Sequence, residues 1–167
     1  MKNILLITFG FLSFNASASQ ASDLMKKAYM ESLLVKEFVA TQNAILGECE
    51  TKIDTTPYKN WLQRAESDLS IVESVRTHFV EKGGEFMGKE VLSVFNSHLQ
   101  TIDGKVDKTI VPFKSVGESK LESVCNKWVS SFSNDNSNYL KKVNNKISFV
   151  KNNQSTINSA IADKSNW

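Results

Sequence analysis

Leu140, Val143, Ile147, Val150, Gln154, Ile157 and Ile161 follow one another in steps of three and four without a break. An α-helix turns once in about 3.6 residues, so this spacing puts all of them on one face, whereas a strand needs steps of two. Apart from Gln154 the stripe is apolar, and water expels such a face into contact with other apolar surface. The pattern predicts a helix over 138–163, with Gln154 either fixing register or lying at a partly exposed layer. A helix of this kind has to be supplied with partners, and the rest of the chain supplies them.

Leu24, Ala28, Val35, Phe38, Ile45 and Cys49 form a second stripe, widened by Leu34, Val39 and Leu46, and predict a helix over 23–50. Thr55-Thr56-Pro57 is a boundary: Thr56 is expected to cap the next helix and Pro57 to occupy its first turn. Tyr58, Leu62, Ala65, Leu69, Val72 and Phe79 then predict a helix over 57–82, with Arg76 standing where another apolar residue is due. Gly83-Gly84 is expected to stop it. Met87, Val91, Phe95, His98, Ile102, Val106 and Ile110, broadened by Leu92, Val94 and Leu99, predict a third helix over 85–111. Gly88 and Gly104 weaken it by about 1 kcal/mol each, a kink near Gly104 is expected, and Pro112 marks its exit. A shorter helix over 118–132 carries Leu121, Cys125, Trp128 and Phe132 on one face, and the polar run 133–137 reads as a turn. Residues 164–167 are expected to fray. The expected fold is all-α, a compact bundle of four long helices plus one shorter helix.

The start of the chain reads as an export signal. Lys2 precedes an apolar run over 4–14, and Ala16-Ser17-Ala18 offers a small-x-small cleavage site, with Ser19-Gln20-Ala21 as a second. The run is shorter than the roughly 20 residues a membrane-spanning helix needs, and no later stretch is long and apolar enough. Residues 1–18 are therefore read as a secretory signal peptide, with cleavage after Ala21 as the alternative, and 19–167 as a single helical-bundle domain in the periplasm or outside the cell. The chain carries 20 Lys plus Arg against 18 Asp plus Glu, and the charges are interspersed. Such a balance lacks the basic footprint of nucleic-acid binding. The densest group, Lys141, Lys142, Lys146 and Lys151, reads as the solvated face of one helix.

Cys49 and Cys125 are the only cysteines, and each falls on a predicted core stripe. In an oxidising compartment such a pair is expected to bridge, which requires the end of the first helix to pack beside the middle of the fourth. A loop of about 76 residues closed this way is worth roughly 4 kcal/mol in the chain-entropy picture.

No motif identifies a chemistry. His78 and His98 lie on different predicted helices, and neither follows a Glu by three residues or belongs to a His-Glu-x-x-His pair, so metal-bundle signatures are missing. Cys-x-x-Cys-His, Gly-x-Ser-x-Gly and phosphate-loop patterns are absent as well. Glu48 and Glu50 flank Cys49 and would oppose a thiolate there. No cofactor and no metal are expected, and an enzyme is not. Trp61, Phe86, Met87, Gly83 and Gly84 are the candidate interface, as aromatic and flexible residues near helix ends. The expected role is an exported noncatalytic protein-binding bundle, such as a periplasmic inhibitor or immunity protein that neutralises an effector. A secreted helical effector or membrane-active toxin component is one alternative, a periplasmic chaperone or envelope-assembly accessory is another, and self-association is compatible with all three.

Thiol titration of the unreduced, denatured protein should find almost no free sulfhydryl; two equivalents would mean that the cysteines never pair.

Overall fold

The computed structural model describes residues 20–133 and 137–167. Helix α1 (Gln20–Cys49) is touched by every other helix, and buries residues from Ser22 at one end to Cys49 at the other. Helix α2 (Thr56–Met87) returns antiparallel to it, and α3 (Glu90–Ser115) runs back parallel to α1. Side-chain pairs mark that register: Tyr29 meets His98, Glu37 meets Lys105 and Glu48 meets Lys114. The short α4 (Glu118–Ser130) packs at the far end of α1 and α2. Helices α5 (Asn138–Asn152) and α6 (Gln154–Ala162) then descend antiparallel to α1, with Gln42 paired to Tyr139 and Glu31 to Lys146. A short 3-10 turn, Lys164–Asn166, ends the chain. Among the described residues there is no strand, and no helix is long and apolar enough to cross a membrane. The expected all-α bundle is what forms. The proposed signal segment lies outside the described residues.

Cys49 and Cys125 are bonded, with Cα atoms 5.6 Å apart and both side chains fully buried. The contact expected between the end of the first helix and the middle of the fourth is therefore present. Beside it lies an aromatic cluster. Tyr58 meets Phe132 edge-on with centroids 4.9 Å apart and Trp128 at 5.4 Å, while Trp61 meets Phe38 at 5.5 Å.

Several expected boundaries move, each for a local reason. Helix α2 does not stop at Gly83-Gly84 but continues through them to Met87. The missing side chains let a neighbour approach: a Cβ on Gly83 would lie 2.8 Å from the Phe95 ring and 3.0 Å from Trp167. The turn falls instead at Gly88, whose φ of +93° is the only left-handed backbone among the described residues. Helix α3 accordingly begins at Glu90, and Pro112 lies inside it rather than at its exit. Proline frees the carbonyl four residues earlier, here Lys108, and both residues are exposed, so water can satisfy it. Gly104 lies within the continuous α3.

At the start of α2 the cap is not Thr56. The Asp54 carboxylate accepts the Thr56 amide at 2.9 Å, and hydrogen bonding from Thr56, its side chain first and then its amide, holds Asp54 below the usual carboxylate range. Helix 138–163 is interrupted at Asn153, whose side-chain amide donates to the Phe149 carbonyl at 2.8 Å and competes with the ladder. The stripe nevertheless carries across: Leu140, Val143, Ile147, Val150, Ile157 and Ile161 are all buried, and Gln154 is half-exposed. The expected fourth long helix is thus two shorter ones on one continuous face. Residues 164–167 do not fray. The Trp167 indole packs on Phe79 with centroids 4.7 Å apart and donates to the Ile161 carbonyl at 2.9 Å.

Two glycine substitutions should move stability in opposite directions. Gly83→Ala pushes a methyl into Phe95 and Trp167, and should cost about 1–3 kcal/mol. Gly47→Ala, in α1 with nothing within 4 Å of the new methyl, should gain about 0.5–1 kcal/mol. Urea denaturation of both proteins checks this; a neutral Gly83→Ala would mean that the α2–α3 approach is looser than drawn.

Candidate functional site

Two polar constellations lie among the packed helices, and both must be understood before any surface is considered. The first centres on Gln42, which is fully buried between α1, α4 and α5. The Trp128 indole donates to its side-chain oxygen at 2.7 Å, and its amide donates to the Tyr139 hydroxyl at 2.7 Å. One amide thus joins three helices, with donor and acceptor both used. Nearby, the Tyr58 hydroxyl donates to Asn43 at 2.7 Å, and burial pushes the phenols of Tyr58 and Tyr139 upward, away from ionisation. Gln42 lies four residues after Phe38 and three before Ile45, in register with the α1 stripe. That polar intrusion is the signal from which the sequence could have identified it.

The second constellation joins α1, α2 and α3. The Tyr29 hydroxyl and His98 Nδ1 are 3.1 Å apart, and the Tyr29 ring stacks on Phe79 at 4.5 Å. Burial raises the Tyr29 phenol to about 12, partly offset by the Arg76 guanidinium, and burial lowers the His98 imidazole. Arg76, the charged residue interrupting the α2 stripe, keeps its side chain only 13% exposed and forks onto Glu73. That fork is the main reason the Glu73 carboxyl lies below its usual range. Lys36 adds a third charge at 3.7 Å from Glu73. A hydroxyl this hard to ionise, facing an imidazole kept neutral, suits a packing hydrogen bond better than proton transfer near neutral pH. Alongside, Val39, Leu69 and Val72 line a shallow groove between α1 and α2, rimmed by Lys36 and Glu73.

His78 stands apart from His98, on α2, with Nδ1 3.3 Å from the Asn158 side-chain oxygen of α6. Among the described residues no three His, Cys, Asp or Glu side chains converge at metal-binding spacing. The lysine group also disperses into separate contacts: Lys146 reaches Glu31, and Lys151 reaches Asp68 at 2.8 Å.

The five candidate interface residues divide. Trp61 is 3% exposed within the aromatic cluster, and Gly83 is buried beneath Phe95 and Trp167, so neither presents a surface. Gly84 and Phe86 are half-buried, Gly84 under Leu92 and Phe86 against Trp167. Met87 is 37% exposed at the end of α2, and Val94, on the first turns of α3, is 50% exposed. The α2–α3 bend therefore carries uncovered apolar side chains on either side of Gly88. No protein-family description, no curated protein and no solved structure is similar to this chain in the comparisons made with each.

The depressed His98 pKa has a consequence for acid stability. Below the unfolded imidazole value of about 6.5 the unfolded chain binds the proton that the folded chain resists. The contribution is therefore complete above that pH and is lost as the pH falls from there through the lower folded pKa. The thermal midpoint should fall between pH 7.5 and 5, and His98→Gln should fall less over the same interval. Parallel pH profiles for the two proteins would show that His98 does not resist protonation.

Proposed function

We propose that this chain is an exported, noncatalytic protein-binding bundle of the inhibitor type, which neutralises an effector outside the cytoplasm by covering it. The observation that carries the reading is the apolar bend, where Met87 and Val94 are left uncovered on either side of Gly88 with Phe86 half-buried beside them. Apolar side chains held on rigid helix ends are the anchors that protein interfaces use. Export is supported by the buried Cys49–Cys125 bond, a kind of cross-link that persists in oxidising compartments, and by the leader-like start of the sequence. A chaperone or an assembly accessory would use the same surface on a different partner. A membrane-active effector is the competing class, and vesicles separate it from the others.

The test uses the oxidised protein and its Met87→Asp variant as baits in an envelope extract, with the captured protein identified and its affinity for both baits measured. Met87 is 37% exposed at the end of α2, so the variant should stay folded, with its thermal midpoint lowered by a few degrees at most because the new carboxylate opposes the helix dipole, while binding at least about tenfold more weakly. Equal affinity would remove the bend from the interface. Dye release from liposomes by the wild type, with no captured protein, would replace the inhibitor reading by the effector one.

A further inference from the structure

Helix α4 closes one end of the bundle as a cap. It has 13 residues, most of them exposed, and its buried side chains are Cys125, Trp128 and Val129. Phe132, just beyond it, lies over Tyr58 and Trp61 with centroids 4.9 and 5.8 Å away, so this short segment shuts the aromatic cluster off from water. Besides the Cys49–Cys125 bond, α4 is tied by the Trp128–Gln42 hydrogen bond and by the exposed Lys52–Glu118 pair. A helix this short is marginal in water by itself, and an exposed ion pair adds little. Gly117, exposed and with open space around its Cβ position, gives the chain room to bend just before α4. Cys49 and Cys125 are both fully buried. Two thiols cannot share the space of a disulfide, because unbonded sulfurs keep a van der Waals separation that bonded ones do not. In a close-packed interior that room has to come from movement of a helix, and of the two helices joined α4 has far less buried.

We propose that the Cys49–Cys125 bond is a latch set by oxidation: while both cysteines are thiols, α4 stands off the end of the bundle and the other helices stay packed, and oxidation shuts it. In closing, the two S–H bonds break and one S–S bond forms. Two electrons and two protons pass to a disulfide oxidant, which is reduced to two thiols. The open form leaves Tyr58 and Trp61 uncovered and the Gln42 side-chain oxygen without its Trp128 donor. Once shut, the sulfurs are out of reach of solvent, so the latch closes once and is not a reversible sensor. The proposal goes beyond the binding role and uses the export reading only for the compartment in which closure happens. It is tested by hydrogen exchange on the oxidised protein and on the same protein refolded and held under a phosphine reductant. On losing the bond, the protection of residues 118–130 relative to residues 140–150 should fall on the order of a hundredfold, with most of the helical circular dichroism kept. In the reduced, undenatured protein iodoacetamide should label both cysteines, and oxidised glutathione added after removal of the reductant should restore the protection of α4. An unchanged protection ratio, thiols that resist labelling until urea is added, or loss of protection throughout the bundle would each overturn the latch.

Discussion

Everything in this bundle depends on α1 being buried on more than one side. A helix with one neighbour needs one apolar stripe, but α1 faces α2, α3, α5 and α6 along its length and α4 at its end. Its interior positions include Met25, Ala28, Leu33, Val35 and Ile45, together with Tyr29, Ser32 and Gln42. Those polar positions are affordable only because each is bonded where it lies. Ser32 donates back to the Tyr29 carbonyl at 2.6 Å, Tyr29 meets His98, and Gln42 is held at both ends. Leaving one such group unpaired would cost about 1–3 kcal/mol. The polar groups therefore specify which helix lies where, while the apolar surface supplies most of the driving force.

The disulfide acts at the place where that scheme is weakest. Helix α4 has only 13 residues, short enough to be marginal by itself in water, and it buries little besides Cys125, Trp128 and Val129. The Cys49–Cys125 bond and the Trp128–Gln42 hydrogen bond tether it to α1, and an exposed Lys52–Glu118 pair adds little. Both sulfurs are inaccessible to solvent, so the bond is a fixed cross-link and not an exposed thiol pair open to exchange.

How much of this was legible depended on the kind of force involved. The stripes were legible because burial repeats every three to four residues; the final one survives even the break at Asn153. The cysteine pairing was legible because two cysteines on core stripes have one way to meet. Boundaries set by tertiary contact were not. Gly83-Gly84 resembles a stop signal when read locally, yet the glycines are used for close approach by Phe95, Leu92 and Trp167, which lie 8 to 84 residues away in sequence (92 − 84 and 167 − 83). Pro112 is tolerated because its helix turn faces water. Trp167 looks like a loose end because nothing nearby in sequence reveals the cleft between Phe79 and Phe86 that receives it. Trp61 illustrates the converse error of exposure inferred from stripe position: its stripe is wide because α4 and the following turn, with Trp128 and Phe132, come back over that end of the bundle.

The same distinction bears on function. The residues that attract attention in a helical bundle, two histidines, a core arginine and buried phenols, are engaged with neighbours on other helices or on the next turn. Their spacing follows from packing, and each has a structural reason to be where it is. At the α2–α3 bend Met87 keeps 37% of its surface exposed and Val94 50%, apolar area that a partner could remove from water. Gly88, at φ +93°, makes the turn that puts Met87 at the end of α2 and Val94 in the first turns of α3. Exposed apolar surface in a defined arrangement is useful to a protein that meets another surface, which is why the proposed role is placed there and not at the histidines.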